Sequence, residues 1–481
     1  MGQPLQLPTP DCRPPTPNAP FALDFATPRN PGIGVGGRDL GIVSRSVNEL
    51  PRSLTRLNAV AMVVGTIIGA SIFVQPSEIA QYLTSAEEIM LVWVACGVLT
   101  LFGAFVCAEL ASAFPQTGGL YIFLRQAFSP LAGFLWGWAM FWSIHTGIIA
   151  AIATVFARYT AHFVPADDVG VRVIAVALIL SLSALNYLGV KAGSTVQTAL
   201  TIAKIAAIAI VVTGGLLVAA AGSPQPADPP LETGGAGASF SDFLLAMVAG
   251  LFAYGGWHMV TYTAGETVMP ARTIPTALVL GVAIVTLSYV ALNVLYLAVL
   301  PVDAVRSSTR IAAEAADAVV GSGGSGLMAA LVMMSSLGAL TGIILTGPRV
   351  YYSMARDGLA FSWLGHVHPV YRTPSRAIVA QAVFASVLAA TGAYRQLFTR
   401  VIYTEWLFFA LMAAGLFSLR RRPDYRPAYR TWGYPVVPSV FILASMVIVV
   451  NQVAREPVEA LTGLGIVALG APVYYIWHAY R

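Results

Sequence analysis

The sequence predicts an all-α protein that crosses a membrane about twelve times. Of its 481 residues, 57% are hydrophobic and only 10% are charged, whereas a soluble domain carries about 25% charged residues. Apolar stretches of spanning length recur along almost the whole chain. In the first of them a run of small residues, 65–71 (GTIIGAS), interrupts the helix pattern. A helix broken inside a membrane indicates a binding site, as in transporters.

Polar connections containing Gly or Pro separate the predicted spans. The shortest span is 375–392, and the division between the fourth and fifth depends on Gly189, Lys191 and Gly193. Between spans seven and eight, residues 303–320 predict a short amphipathic helix outside the membrane. The twelve predicted spans are residues 58–82, 89–113, 131–161, 171–189, 196–221, 241–262, 274–300, 327–354, 375–392, 397–419, 435–453 and 458–479.

The first fifty residues differ from the rest of the chain. Residues 1–50 contain no apolar stretch or signal peptide and are rich in Pro and Gly, which predicts a disordered cytoplasmic tail before a membrane domain at 51–481. The more basic connections predict both termini in the cytoplasm and a multi-pass protein of the plasma (inner) membrane. The residues assigned to that side are Arg52, Arg56, Arg125, Lys191, Arg272, Arg349, Arg356, Arg372, Arg376, Arg420, Arg421, Arg422, Arg426 and Arg430.

Other classes of function find little support. The net charge of +5 comes from arginines in connections, so it does not indicate nucleic-acid binding. Cys12, Cys96 and Cys107 predict no disulfide framework, and His366 and His368 have no further metal ligand near them in the sequence. No span pairs a nucleophile with a base or contains His-Glu-x-x-His, so we predict no enzyme, no cofactor and no metal.

A second interruption mirrors the first. The sixth span carries residues 250–257 (GLFAYGGW), in the same place within spans six to ten as 65–71 within spans one to five. One such run alone is explained by a small-residue packing face, whereas two in corresponding halves predict inverted repeats around a midplane site. The predicted boundaries are about 57–221 for repeat one, about 240–419 for repeat two and 435–479 for two extra helices.

A broken helix offers opposite partial charges at its two new ends. The N–H groups that follow the first break suit a carboxylate, and the carbonyls that precede each break suit an ammonium group. Together they predict a site for an α-amino acid, with Phe252 and Trp257 as a lid and a wall or, alternatively, as packing residues. The N–H groups belong to Gly69, Ala70 and Ser71, and the carbonyls lie near Thr66, Ile67, Phe252, Ala253 and Gly255.

Four ionisable residues are further candidates, because such groups inside a bilayer are usually functional. Lys204 in span five is predicted to stand where a cation would bridge helices, and snorkelling to the interface is the alternative. His258 follows the second break and is predicted to face the substrate. Glu405, beside Trp406, is predicted as a proton or hydrogen-bond site or as a structural residue. Glu109, near the cytoplasmic end of span two, is predicted to belong either to an inner gate or to a structural ion pair.

Several stretches of the chain resemble the amino acid–polyamine–organocation superfamily, and in particular its L-type amino acid transporter branch. The resemblance covers about residues 55–455. The matching stretches are 64–76 (VGTIIGASIFVQP) for span one, 108–110 (AEL) and 118–121 (GGLY) for the end of span two, Lys204 for span five, and 252–257 (FAYGGW) with 265–275 for span six and its exit.

The resemblance implies a LeuT-like fold, with a five-plus-five inverted repeat, and sodium-independent amino acid transport by alternating access. It implies that Lys204 fills the place of a structural sodium ion and that Phe252 is also the outer lid. It places His258 near the side-chain pocket and Trp406 at its wall. It assigns the carboxylate to Thr66, Ile67, Gly69, Ala70 and Ser71, and the amine to Phe252, Ala253 and Gly255.

The chain departs from the family pattern at three places. Ser71 stands where a glycine is usual, so the added side chain either narrows the site or donates to the carboxylate. Gly265-Glu266 stands where two acids are common. The loop 162–170 lacks the cysteine through which animal members bind a glycoprotein subunit, so we expect no disulfide-linked heavy subunit.

The leading function is therefore exchange of neutral L-amino acids, because no fixed charge other than that of His258 is expected beside the breaks. Proton-coupled symport, with Lys204 releasing and taking the proton, is the alternative within transport. A receptor or sensor that binds an amino acid without moving it is a remote alternative, which only the N-terminal tail favours.

Overall fold

The computed structural model describes residues 50–221, 238–308, 310–321, 323–392 and 394–479. The predicted N-terminal tail lies outside these residues except for Leu50. Ten helices in the described part are long and apolar enough to cross a membrane by length and composition. The all-helical membrane fold is thereby confirmed, and the described residues contain no strand beyond a single bridge between Leu54 and Thr267.

The first five spans begin at well-defined caps. Thr55 and Ser85 each form a capping box with the residue three positions on, and the Asp167 side chain accepts the N–H of Gly170. Ser129 caps a helix that opens with Pro130, the residue best tolerated at this position. The helices are α1 (Arg56–Ile67), α2 (Gln75–Tyr82), α3 (Ala86–Ala113), α4 (Leu120–Ala127), α5 (Pro130–Ala139), α6 (His145–Thr160), α7 (Asp168–Leu188) and α8 (Val190–Ala220).

The remaining spans follow the same pattern. Ser239 forms a capping box with Asp242 at the start of the sixth span, and Pro270 opens the seventh. The helices are α9 (Phe240–Ala253), α10 (Pro270–Val299), α11 (Val302–Ser307), α12 (Ile311–Val320), α13 (Gly324–Arg356), α14 (Ser375–Thr391), α15 (Tyr394–Arg420), α16 (Val436–Arg455), α17 (Pro457–Ala468) and α18 (Gly470–Ala479).

Three predicted elements are more interrupted than the sequence suggested, whereas the interruption of span one was predicted. Span one divides into α1, a 3-10 turn at Ser71–Phe73 and α2, and span three contains a π-helical turn at Met140–Ile144 between α5 and α6. The predicted single amphipathic helix at 303–320 is two helices, α11 and α12. The last span divides into α17 and α18 at Leu469.

The two interrupted helices lie at the centre of the helix packing. Helix α1 packs against α8, α10, α13 and the 3-10 helix Trp257–Glu266 that continues α9. Helix α9 packs against α2 and α3. Helix α1 begins, and the 3-10 helix ends, at the same face of the protein. We call this face the N-terminal face and the opposite face of the protein the far face. The breaks therefore lie between the faces, surrounded by protein.

Candidate substrate site at the two helix breaks

The first break leaves two backbone donors free. Helix α1 ends at Ile67, and Ile68 turns out of the helix with ψ 87°. The Gly69 N–H donates to the Ile67 carbonyl at 2.8 Å, so this predicted donor is already used. Among the described residues, no hydrogen bond takes the N–H of Ala70 or of Ser71. These two groups remain available for a carboxylate.

The second break approaches the first closely. Helix α9 ends at Ala253, and the Gly255 N–H donates to the Phe252 carbonyl at 3.0 Å. Gly256 has φ +97°, and a Cβ there would lie 3.1 Å from the Thr66 carbonyl oxygen. The Thr66 hydroxyl donates to the Gly256 carbonyl at 3.2 Å. Position 256 therefore requires glycine both for its backbone conformation and for the contact.

A tyrosine from α10 joins the two breaks. The Tyr289 hydroxyl lies 3.0 Å from the carbonyl oxygens of Ile67 and Ala253, which end the two helix halves. The sequence predicted that these carbonyls face an amine, whereas each already contacts this hydroxyl. A carbonyl oxygen has a second lone pair, so Tyr289 orients the acceptors without exhausting them.

Replacing Tyr289 by phenylalanine is expected to reduce transport markedly while leaving the fold intact. The ring still packs, but the two helix ends lose their shared partner. A matched control is Tyr296→Phe, because Tyr296 is equally buried in the same helix and its hydroxyl has no hydrogen-bond partner among the described residues. Initial uptake rates, normalised to protein in the membrane, compare the two variants. Equal rates for both variants would contradict the role of Tyr289.

The breaks border a cavity of about 250 Å³. Its remaining wall is mainly apolar and includes Ile148, Ile152, Met259 and Phe409. Most of the predicted site residues line it, namely Thr66, Ile67, Gly69, Ala70, Ser71, Phe252, Gly255, Trp257, Glu405 and Trp406. Ala253, His258, Lys204 and Glu109 do not appear in the lining.

Glu405 brings a carboxyl group to the cavity. Its side chain is 4% exposed, and its Oε1 atom has no hydrogen-bond partner among the described residues. The next residue, Trp406, packs against Phe409 and Phe441 at the same wall. The hydroxyl of Tyr403, also in the lining, donates to the Ala460 carbonyl and so is already partnered.

His258 lies one layer behind the cavity wall rather than in it. Its ring packs edge-on against Trp136, Trp257, Tyr262 and Phe409, with centroids 4.9–5.6 Å away. Neither ring nitrogen has a hydrogen-bond partner in the described part of the chain. The prediction that His258 faces the substrate therefore differs from the structure, because the segment after the break is a 3-10 helix that turns this side chain inward.

Lys204 is fully buried and joins three helices. Its Nζ atom donates to the carbonyls of Gly65 at 3.2 Å, Ile68 at 2.6 Å and Ser335 at 3.1 Å. The three ammonium protons thus match three acceptors on α1, the first break and α13. The Ser335 hydroxyl also donates to the carbonyls of Ile68 and Gly69. The polar contacts of Lys204 hold the first break against α13.

A buried ion pair that the sequence did not reveal lies toward the N-terminal face. Arg349 donates to Glu266 through Nε at 2.7 Å and Nη2 at 3.0 Å, and neither side chain is exposed. The sequence analysis counted Arg349 among the basic residues of the cytoplasmic side, and the predicted span 327–354 already contained it; α13 continues two turns beyond it. The Glu266 carbonyl accepts the N–H groups of Ser53 and Leu54, which fastens the start of α1 to the end of the 3-10 helix.

Glu109 belongs to a second ion pair toward the same face. Its carboxylate accepts Arg420 Nε at 2.8 Å and the backbone N–H of Thr431 at 2.6 Å. The Arg420 guanidinium also stacks on the Tyr434 ring at 3.7 Å. Glu109 thus joins the end of α3 to the end of α15 and the following loop, and it lies apart from the cavity.

The cavity extends from the breaks mainly toward the far face. Its lining includes Val74 and Gln75 after the first break and Val248 and Leu251 before the second, all of which belong to the halves toward the far face. On the N-terminal side, the Glu266–Arg349 pair and the Leu54–Thr267 bridge hold the chain together. The structure is therefore closed at the N-terminal face.

A helical membrane protein with a cavity between two mutually linked helix breaks is a transporter of small solutes. The family model described as "Amino acid permease" matches residues 54–469. The chain belongs to this amino acid permease family, whose LeuT-like fold agrees with the structure, and it is an integral membrane amino acid transporter rather than an enzyme.

Curated relatives cover nearly the whole chain. The b(0,+)-type amino acid transporter 1 of Homo sapiens is 30% identical over 90% of this chain and 89% of its own length. The serine/threonine exchanger SteT of Bacillus subtilis (strain 168) is 31% identical over 89% of this chain and 97% of its own. The cystine/glutamate transporter of Homo sapiens is 28% identical over 89% and 86%, respectively.

Proposed function

We propose that this protein exchanges neutral L-amino acids across the plasma (inner) membrane by alternating access, without sodium. The observation that carries the proposal is the position of the cavity at both breaks, with free N–H groups at Ala70 and Ser71 and an otherwise mainly apolar wall. The carboxylate of the substrate binds the two N–H groups. The amine binds carbonyls at the ends of the helix halves, near Gly255 and the pair held by Tyr289.

The charges around the cavity favour neutral over acidic side chains. No Lys, Arg or His is among the residues lining the described cavity, so an acidic side chain would find no counter-ion there. Lys204 supplies a fixed positive charge beside the first break, which supports transport without sodium. Exchange is supported by relatives such as the serine/threonine exchanger, although that name describes the relative itself.

The test uses purified protein in sodium-free liposomes. Uptake of labelled alanine, serine and leucine is expected only when the vesicles contain an unlabelled neutral amino acid, and empty vesicles are the control. Uptake into empty vesicles that follows an imposed pH gradient would instead establish proton-coupled symport. That alternative is favoured by Lys204, whose ammonium group has only carbonyl partners among the described residues.

Replacing Ser71 by glycine is expected to widen the range of accepted side chains. Ser71 lines the cavity, and removing its Cβ and hydroxyl enlarges the space. The measurement is the uptake of phenylalanine relative to alanine, with Ser71→Ala as the matched control that keeps the Cβ. If both variants lose binding of every amino acid, the Ser71 hydroxyl is a carboxylate donor instead.

We further propose that the protein works without a disulfide-linked heavy subunit and with both termini in the cytoplasm. Cys96 and Cys107, the cysteines of the described residues, are buried in α3, and Cys12 lies outside the described residues. Exchange by the chain purified alone, unchanged by reductant, is the expected result. Protease or tag accessibility in intact cells tests the orientation, and a tag reached from outside would reverse it.

A further inference from the structure

Glu405 is an unpaired acid in the cavity. It is the only Asp, Glu, Lys, Arg or His among the residues that line the cavity in the described part of the chain. Its side chain is nearly inaccessible, and its Oε1 atom accepts no hydrogen bond from a described group. A carboxylate held away from water is very costly unless it is paired or protonated. The negative charge of Glu405 must therefore be neutralised by a proton or by a bound cation, since no described protein group does so.

The described elements packed around Glu405 bring no cationic side chain into the cavity lining. Helix α6 presents apolar residues to the cavity, and the first break presents Ser71 and Gln75. Tyr403, another residue of the cavity lining, donates its hydroxyl to the Ala460 carbonyl. His258 lies behind Phe409. On the helices that pack against α15, the charged residues Glu109, Arg125 and Arg455 are paired, with Arg420, Asp357 and Asp242 respectively. Arg158 of α6, Arg376 of α14 and Glu87 and Glu88 of α3 form no ion pair among the described residues, but none of them lines the cavity.

We propose that Glu405 lets the same cavity accept amino acids with a cationic side chain, by exchanging its own proton for the ammonium or guanidinium group of the substrate. This inference rests on the proposed exchange function and extends its substrates from neutral to neutral and cationic amino acids. Glu405 is thus a specificity-determining residue. It contacts the substrate side chain, whereas the helix breaks bind the backbone groups that all substrates share.

Charge and protons balance in this scheme. With a neutral substrate, the Glu405 carboxyl keeps its proton. When a cationic side chain enters, the O–H bond breaks, the proton leaves to water on the open side, and the carboxylate pairs with the cation. The loaded cavity thus has the same net charge in both cases. After the cationic substrate leaves on the opposite side, the carboxylate takes a proton from that side.

The wild-type protein tests this exchange directly. Liposomes that contain leucine and a pH-sensitive dye receive labelled lysine outside. Each lysine that enters in exchange for leucine is expected to carry one proton outward, so the interior becomes alkaline and an imposed membrane potential has no effect on the rate. Leucine exchanged for leucine moves no proton. Lysine uptake without proton movement would overturn the proposal, as would leucine exchange without any lysine or arginine uptake.

Substitutions of Glu405 distinguish a role in substrate specificity from a purely structural role. Glu405→Gln is expected to lower the ratio of lysine to leucine initial rates at least about tenfold, because the neutral amide cannot supply the negative charge that pairs with the cationic side chain. Glu405→Asp restores the ratio, and Glu87→Gln, at an exposed acid in α3, is the matched control. A merely structural role would lower both rates together and leave the ratio unchanged, which would contradict the assignment.

The outcomes distinguish this inference from the function on which it rests. If the wild-type protein exchanges neither leucine nor lysine, the proposed exchange itself is wrong. If it exchanges leucine alone, only the role of Glu405 is wrong. If Glu405→Gln does not reach the membrane, the proton measurement on the wild-type protein decides the matter.

Discussion

Lys204→Ala is expected to remove most transport, by more than about tenfold, while the protein still reaches the membrane. The substitution leaves the carbonyls of Gly65 and Ile68, and that of Ser335, without the ammonium group that joins them. A hydrogen bond to a charged group contributes about 1.5–3 kcal/mol, and about 1.4 kcal/mol corresponds to a tenfold change in an equilibrium constant. The first break then loses its fixed position relative to α13.

The matched control for this variant is Lys191→Ala. Lys191 lies in the same helix but is exposed, so its removal is expected to leave transport near the wild-type rate. Exchange rates in liposomes, divided by the amount of reconstituted protein, give the comparison. Wild-type transport by Lys204→Ala would refute its role at the break, and a protein that no longer enters the membrane would make Lys204→Arg the informative variant.

Glu266→Ala is expected to destabilise the protein and to lower transport more than about tenfold. The substitution leaves the Arg349 guanidinium buried without its carboxylate, and breaking a buried ion pair from one side costs about 3–5 kcal/mol. It also frees the end of the 3-10 helix at the N-terminal face. Thermal unfolding of the purified protein in detergent measures the first effect, and liposome exchange measures the second.

Two further variants show whether the effect of Glu266→Ala comes from the loss of the ion pair. Arg356→Ala removes an exposed arginine from the end of the same helix and is expected to melt like the wild-type protein. The double variant Glu266→Leu with Arg349→Met removes both charges, so it is expected to recover much of the lost stability. If it recovers transport as well, the pair serves stability alone. If transport stays low, the pair is needed for the closed state. Unchanged melting of Glu266→Ala would contradict the cost assigned to the pair.

The features that the sequence predicted well are those that depend on residues close together in the chain. Residues 65–71 and 250–257 interrupt long apolar stretches, so both breaks and the helical membrane fold follow from composition and spacing alone. Lys204 was a candidate because a lysine within an apolar span needs polar partners. Most predicted cavity residues came from these runs, and the structure places them together.

The features that the sequence missed depend on contacts between distant residues. Glu266 and Arg349 are 83 positions apart, and nothing in the sequence near either residue indicates that they pair. Tyr289 is one aromatic residue in an apolar span, and only the structure shows its hydroxyl between two helix ends. The position of His258 depends on a 3-10 helix, whose residues advance about 120° each rather than about 100°. The sequence analysis predicted only that His258, which follows the second break, faces the substrate.

The contact between Thr66 and Gly256 has a consequence for how the protein moves. The two interrupted helices touch where the Thr66 hydroxyl meets the Gly256 carbonyl, share the Tyr289 hydroxyl and meet again where Leu54 lies beside Thr267. A tilt of one half-helix toward the N-terminal face must therefore carry the other with it. The two interrupted helices are therefore expected to rotate together, with the breaks as the pivot, relative to the helices that surround them.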